Sequence, residues 1–371
     1  MTPWRVVFAP DSFKGSLTSV EVAEALAKGW RRARGDDELV LAPMADGGEG
    51  TLAAIEAGGG WEPQEVEATD PLGRPVVARW LRSQDGRRAV VELASASGLS
   101  RVSPDQRDPF AASTRGTGEV LCAVLDAGVR QIVLGIGGSA TTDGGAGILE
   151  ALGARVGADG VDLSGLDPRL AETDLLIACD VTNPLLGERG AAATYGPQKG
   201  ASPSQVRELD ARLARFADAL EAAVGRGVRE TPGAGAAGGT AFGLLAICER
   251  FARVELRPGV DLVMAETGLE LKLAGSNLVV TGEGRIDAQT AYGKTALGVT
   301  RLATRSGVAC IAVGGGVEPE GIAALAELGV IVLPVVERPQ SVEEAMQAGA
   351  APLVRCGERI ARLLSLGALL A

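Results

Sequence analysis

Apolar runs of strand length stand at both ends of the chain, each trailed by a stretch with helical spacing, and this layout limits the fold more than any other feature. Arg5 to Ala9 (RVVFA) predicts a buried strand. A helix follows, opened by the capping-box spacing Thr18-x-x-Glu21 and carried by Val22, Ala23, Leu26, Ala27 and Trp30 as far as Gly35. Leu39 to Ala42 predicts a second strand, leading to the loop Asp46-Gly47-Gly48-Glu49-Gly50-Thr51 and a short helix. From Asn277 the alternation resumes with strands Leu278 to Val280, Ala309 to Val313 and Ile331 to Val335. The helices between and after them are Thr295 to Arg305, Pro319 to Leu328 and one within Arg355 to Leu366. Two strands cannot cover a sheet alone, but with the other three they predict one doubly wound, Rossmann/flavodoxin-like parallel sheet formed by both chain ends. The expected domain is discontinuous, residues 1–65 plus 276–371, with 66–275 as an inserted α/β domain.

Within the insert the texture changes. Val66 to Thr69, Val76 to Leu81 and Ala89 to Leu93 look like strands joined by the turn sequences Asp70-Pro71-Leu72-Gly73 and Asp85-Gly86, which predicts an antiparallel patch. A helix near Glu119 to Asp126, strands Gln131 to Leu134 and Leu175 to Cys179, and helices Ser204 to Val224 and Ala241 to Ala252 complete it.

Two compositional facts bear on function. There are 52 glycines in 371 residues, about twice the usual share of about 7%, in a chain otherwise of globular composition. The excess belongs to turns and close backbone approaches. There is no histidine, which excludes Ser-His-Asp and Cys-His nucleophile systems and the HExxH zinc site. Acid–base chemistry near neutral pH then falls to carboxylates and lysines, with weaker support for Tyr195, Tyr292 or a thiol. A net charge of -11 argues against nucleic acid and acidic membranes as partners. Five widely spaced cysteines, no signal-peptide pattern and no long apolar run predict a reducing, cytoplasmic setting.

Of the 36 basic residues only Lys14, Lys28, Lys199, Lys272 and Lys294 are lysine. Three stand in glycine-flanked loops: Phe13-Lys14-Gly15, Gln198-Lys199-Gly200 and Gly293-Lys294-Thr295. Lysine is a compact point charge suited to phosphate, and bare backbone beside it lets an anion approach. The bland alternative is chance plus loop solubility, and it fits Lys28 and Lys272 better. Ala288-x-x-x-x-Gly293-Lys294-Thr295 lacks the first glycine of a phosphate loop. The preceding strand also ends too early for one, so the expectation is an anion site at a helix start rather than a P-loop fold. Gly135-Ile136-Gly137-Gly138-Ser139-Ala140 matches GxGxxA, yet the following Thr141-Thr142-Asp143 and the lack of a distal strand-end acid fit phosphate or substrate binding better than hydride transfer. Asp11, Asp46, Glu49, Asp143, Asp180 and Asp287 all follow strands, where open α/β sheets bind ligands. Any one of them could merely cap a helix. Together with the loop lysines they favour phosphoryl transfer, in which magnesium needs one or two carboxylates plus phosphate oxygens.

Six segments taken together resemble the bacterial glycerate kinase family (glycerate kinase type 1, D-glycerate 2-kinase). They are Pro10-Asp11-Ser12-Phe13-Lys14-Gly15-Ser16, DGGEGT from Asp46, GGSATTDGG from Gly137, Asp180-Val181-Thr182-Asn183-Pro184-Leu185, Tyr195-Gly196-Pro197-Gln198-Lys199-Gly200, and TGEGRID from Thr281 to Asp287. They stand in the family order and cover nearly the whole chain. The resemblance implies ATP-dependent phosphorylation of D-glycerate with magnesium, 2-phosphoglycerate being favoured over 3-phosphoglycerate, in a cleft between two α/β domains. The expected roles are Lys14 and Lys199 as partners of phosphate or the glycerate carboxylate, and Asp46 and Asp180 as magnesium ligand and general base in undecided order. Ser139, Thr141 and Asn183 are hydrogen-bonding partners of substrate or phosphate. Asp11, Ser12, Glu49 and Asp143 are further binding positions, and Asp287 and Lys294 are second choices. A homodimer is one assembly the sequence allows. Two alternatives stay open: a nicotinamide-dependent reductase of a small hydroxy acid, and a non-catalytic nucleotide-binding regulator.

Overall fold

The computed structural model describes residues 2–157, 160–288, 290 and 295–370, with side chains described to residue 367. The chain divides into two compact units. The first comprises Met1–Asp46, Ala53–Gly59 and Val260–Ala371, the second Gly47–Leu52 and Gly60–Gly259.

With strands numbered through the chain, the first unit holds β1 (Arg5–Pro10), β2 (Glu38–Leu41), β11 (Leu278–Ile286), β12 (Ala309–Val317) and β13 (Ile331–Pro334), ordered β13-β12-β11-β1-β2 and parallel throughout. Counted by its own strands this is the 2-1-3-4-5 order of flavodoxin-like sheets, whose ligands bind where the order reverses, here beyond the carboxyl ends of β1 and β11. Val6, Val7, Phe8 and Ala9 are all fully buried, as a central parallel strand covered on both faces requires. The helix Ser19–Ala33 begins at the expected capping box. Glu21 N donates to Thr18 Oγ1 (3.2 Å) and Thr18 N to Glu21 Oε2 (2.8 Å). Val22, Leu26 and Trp30 on its inner face join Phe8, Val280, Val313, Leu353 and Ile360 in one core.

The glycine-rich stretch after Val280 differs from expectation. It continues β11 to Ile286, paired through Glu283↔Gly314 and Arg285↔Gly316 with a β12 that also outruns its predicted end. A Cβ at Gly282 would stand 2.2 Å from the Val313 carbonyl oxygen, so glycine here allows close strand packing rather than a turn. The final helix is longer than expected, Ala351–Leu370.

The second unit carries a six-stranded sheet. Its strands β3 (Trp61–Thr69), β4 (Pro75–Ser83) and β5 (Arg88–Glu92) form the antiparallel patch. β6 (Gln131–Gly135), β9 (Asp174–Ala178) and β10 (Arg253–Arg257) extend it in parallel, in the order β10-β9-β6-β5-β4-β3. The Asp70 turn forms as its sequence dictates, with Leu72 N and Arg74 N both donating to Asp70 Oδ1. A small hairpin of β7 (Arg155–Gly157) and β8 (Gly160–Asp162) and the edge strand β10 had no clear signal in the sequence. The helix expected over Ala241 to Ala252 ends already at Ala246, because the chain leaves it through a 3-10 turn at Cys248–Arg250 to enter β10, and it is preceded by a left-handed kink at Ala237, Gly238 and Gly239. Leu134, Ile148, Leu149, Ile177, Leu213 and Phe242 lie in this unit's core. Among the described residues, no helix is long and apolar enough to cross a membrane.

Candidate active site

In the first unit the loops leaving β1, β2 and β11 gather charge at the carboxyl end of the sheet. Asp11, one residue past β1, is buried. Its Oδ1 accepts from Ser12 N at 2.6 Å and its Oδ2 from the Thr295 hydroxyl at the start of the helix Thr295–Arg305. Burial, reinforced by the charge of Asp46, holds the Asp11 carboxyl above its ordinary range, against the opposing bonds from Thr295 and Ser12. Lys14 is exposed and donates to Asp46 Oδ2 at 3.1 Å. The Asp46 charge, with lesser pulls from Asp11 and Glu283, raises the lysine further above its usual value. Asp46 reaches this position because Ala42 N and Met44 N continue β2 along β1 by donating to Phe8 O and Pro10 O. Asp287 is only slightly exposed and pairs with Arg285 at 3.5 Å, while its backbone N donates to Thr290 Oγ1 and its carbonyl accepts from Thr290 N. Lys294 lies outside the described residues.

In the second unit the loop after β6 folds around a buried lysine. Lys199 is 2% exposed, and its Nζ donates to Ser139 Oγ (3.1 Å) and to the Thr141 carbonyl. Burial pushes its pKa down to about 7, opposed by the charge of Asp143. Ser139 Oγ also accepts from Thr141 N (3.1 Å) and donates to the Ala237 carbonyl (3.2 Å). Ala237 is the one non-glycine residue at positive φ among those described, at +55°, and Gly238 and Gly239 continue the left-handed turn. Asp143, expected to bind ligand, instead ties its loop together. Its Oδ2 accepts from Thr114 N, Thr114 Oγ1 and Gly147 N, and its Oδ1 from Gly145 N. Asn183 is likewise committed, donating to Arg189 O and Thr194 Oγ1 and accepting from Tyr195 OH. Asp180 is exposed, and its Oδ1 accepts from Gly259 N at the start of the helix Gly259–Glu266. Glu49 is exposed.

Lys14, Asp11 and Asp46 thus gather beyond the ends of β1 and β2, and Lys199, from a 3-10 turn at Pro197–Lys199, reaches the loop after β6. The glycerate kinase family profile matches residues 6–365, nearly the whole chain. The chain belongs to the glycerate kinase family. A glycerate kinase of Halalkalibacterium halodurans is 45% identical, covering 96% of this chain and 97% of its own. A glycerate 2-kinase of Escherichia coli K12 is 40% identical over 98% of each. A Salmonella typhimurium LT2 crystal structure, provisionally assigned as glycerate kinase 2, superposes with a TM-score of 0.84 at 40% identity, covering 99% of this chain and 100% of that one. Membership makes the chain a kinase, a phosphotransferase.

Four residues of this glycerate kinase fold escaped the sequence reading. Glu283 is buried on β11 and accepts from Thr290 Oγ1 at 2.7 Å. It was hidden in a segment that looked like loop. Glu92, buried at the end of β5, accepts from Gly50 N (3.0 Å) and Leu52 N (3.1 Å) and so holds the DGGEGT loop. Its charge at the end of an apolar strand was an available signal. Ala237 and Arg107 carried none. The GxGxxA loop does not open directly into a helix, which starts only at Ala146, and its Ser139 hydroxyl and Thr141 carbonyl serve Lys199; the hydride-transfer alternative loses its support.

Proposed function

We propose that the protein transfers the γ-phosphoryl group of ATP to the 2-hydroxyl of D-glycerate, giving 2-phosphoglycerate and ADP, in the cytoplasm. Family membership supports the kinase chemistry and the acceptor, and the E. coli relative's name favours the 2-position. The observation that carries the site is the Lys14–Asp46 pair beside Asp11, where the sheet's strand order reverses. Five free cysteine thiols suit a reducing compartment.

The residues fit a magnesium ion of the kind that travels with a nucleotide. Among the described residues no group of three or more potential ligands is assembled, and such an ion takes one or two carboxylates and leaves its other positions to phosphate oxygens and water. Asp46, accessible and already oriented by Lys14, or Asp180, exposed just past β9, is the carboxylate that would hold it. When bound, magnesium neutralises phosphate charge. Lys14 supplies a mobile positive charge against the oxygens of the transferring group, where charge builds in the transition state. Ser12, Glu49, Ser139 and Thr141 stand as hydrogen-bonding positions for phosphates or substrate, with Asp287 and Lys294 in reserve. Asp143 and Asn183 act by holding their loops.

The test is ADP release by the purified protein with ATP and magnesium, with and without D-glycerate, and phosphorus NMR of the product. Glycerate-dependent ADP release with phosphate on the 2-oxygen is expected. Release that ignores glycerate, or absorbance change in a reduced nicotinamide cofactor, would sink the reading.

A further inference from the structure

Lys199 is placed oddly for a lysine whose task is to carry charge. It is almost fully buried, its Nζ is fixed by two neutral acceptors, Ser139 Oγ and the Thr141 carbonyl, and it makes no ion pair among the described residues. It also lines a small solvent-open recess with room for about one water-sized group such as a hydroxyl, whose walls include Leu99, Val102, Arg107 and Asp108. Arg107 donates through Nη1 to Gln198 O (3.1 Å), while its buried Nε has no hydrogen-bond partner among the described residues. Asp108 is occupied locally, Oδ1 accepting from Phe110 N and Ala111 N. Arg107, Asp108 and the more distant Asp143 are the charged groups that face Lys199.

The anchoring of Lys199 is reinforced from behind. Ser139 Oγ can accept from Nζ because acceptors for its own hydrogen stand at the Ala237 carbonyl (3.2 Å) and at Thr141, and the Ala237 carbonyl belongs to a left-handed alanine. Such a conformation is costly for an alanine and persists where its surroundings over-determine it, often at functional sites. Two of the three Nζ directions are thus held, leaving the third for the recess.

We infer that Lys199 is the general base of the reaction, taking the proton of the glycerate hydroxyl from the recess, in place of the Asp46 or Asp180 carboxylate expected from the sequence. This rests on the glycerate kinase reading above. The hydroxyl O–H bond breaks, its electron pair staying on oxygen and its proton passing to the lone pair of neutral Nζ. That oxygen bonds to the γ-phosphorus of ATP, and the bond from the γ-phosphorus to the bridging oxygen breaks as ADP leaves. The ammonium so formed is received by Ser139 Oγ, the Thr141 carbonyl and the charge of Asp143, then returns its proton to solvent. Arg107, charged at every relevant pH, supplies the recess with a cation for the substrate carboxylate, so binding does not require Lys199 to be charged. A lysine brought to about 7 by burial is suited to base catalysis at neutral pH.

A base and a phosphate-binding cation predict opposite pH dependences. With both substrates saturating, kcat of the wild-type protein should rise with pH through the region near 7 if Lys199 is the base; a fall or a flat profile overturns the inference. Lys199→Arg, which keeps the charge but cannot give up a proton, should lose about 10²- to 10⁴-fold in kcat; retention within tenfold overturns it. In Lys199→Ala, shown to be folded by circular dichroism, methylamine should restore turnover in proportion to its neutral form. Rescue that follows methylammonium, or no rescue, overturns it. If Lys199→Ala does not fold, the wild-type profile and Lys199→Arg decide alone. Absence of glycerate-dependent ADP release at every pH would defeat the glycerate kinase reading itself, a result distinguishable from activity with the wrong pH slope.

Discussion

Lys14 Nζ lies 3.1 Å from Asp46 Oδ2, and the lysine side chain is 78% exposed. So exposed a pair contributes about 0–1 kcal/mol to stability, whereas a charge aimed at transferring phosphate matters most in the transition state. Lys14→Ala should therefore lower kcat by about 10²-fold or more while leaving the thermal midpoint almost unchanged. Steady-state rates beside a melting curve test this, and near-normal turnover would remove Lys14 from the mechanism.

Asp11 offers a pH test of stability. Its folded-state pKa is raised above 3.8, chiefly by burial, so its contribution is full below that value and is lost as pH rises through the folded pKa. Asp11→Asn has no such loss. The variant should gain stability relative to wild type as pH rises above about 4 and should be slower in turnover. Denaturant midpoints of both proteins across that range decide it; a gap that does not change with pH would contradict the burial argument.

Lys199 has the opposite dependence. Its pKa is lowered from 10.5 to about 7, so between those values the unfolded chain binds the extra proton and wild-type stability rises with pH. Lys199→Met lacks that slope, whatever constant offset its lost hydrogen bonds bring. The wild-type-minus-variant difference should climb from neutral pH toward the ordinary lysine range. A constant difference would mean that Lys199 titrates normally.

Ala237 and Gly238 separate backbone strain from packing. Ala237→Gly removes a left-handed penalty of about 1–2 kcal/mol against an entropic cost of about 0.5–1 kcal/mol, so stability should hold or rise slightly. Gly238→Ala should fail, since its Cβ would stand 1.9 Å from the Thr141 carbonyl oxygen and so displace the oxygen to which Lys199 donates. Its thermal midpoint and turnover should both fall. Stability equal to wild type in Gly238→Ala would show that the two loops are not tightly apposed.

The parallel sheet built from both chain ends, the Thr18 capping box, the Asp70 turn and the antiparallel patch were legible because each depends on local spacing and propensity. The six glycerate kinase segments were legible as motifs, and with them Lys14, Asp46 and Lys199 as residues of interest. Local pattern could not show that Thr281 to Ile286 is strand, since the glycines that suggest a turn serve instead to let β11 approach β12. Nor could it show that Asp143 and Asn183 spend their polar atoms on their own loops, or that Glu92 and Glu283 are buried acceptors. Composition and order determined the family, the sheet and the stock of charges. Tertiary structure alone decided which charges remain accessible and which are desolvated, because burial and hydrogen-bond partners come from residues distant in sequence. Lys199 meets Ser139 across sixty positions of chain, and that meeting turns a surface-type residue into a buried amine with a pKa of about 7.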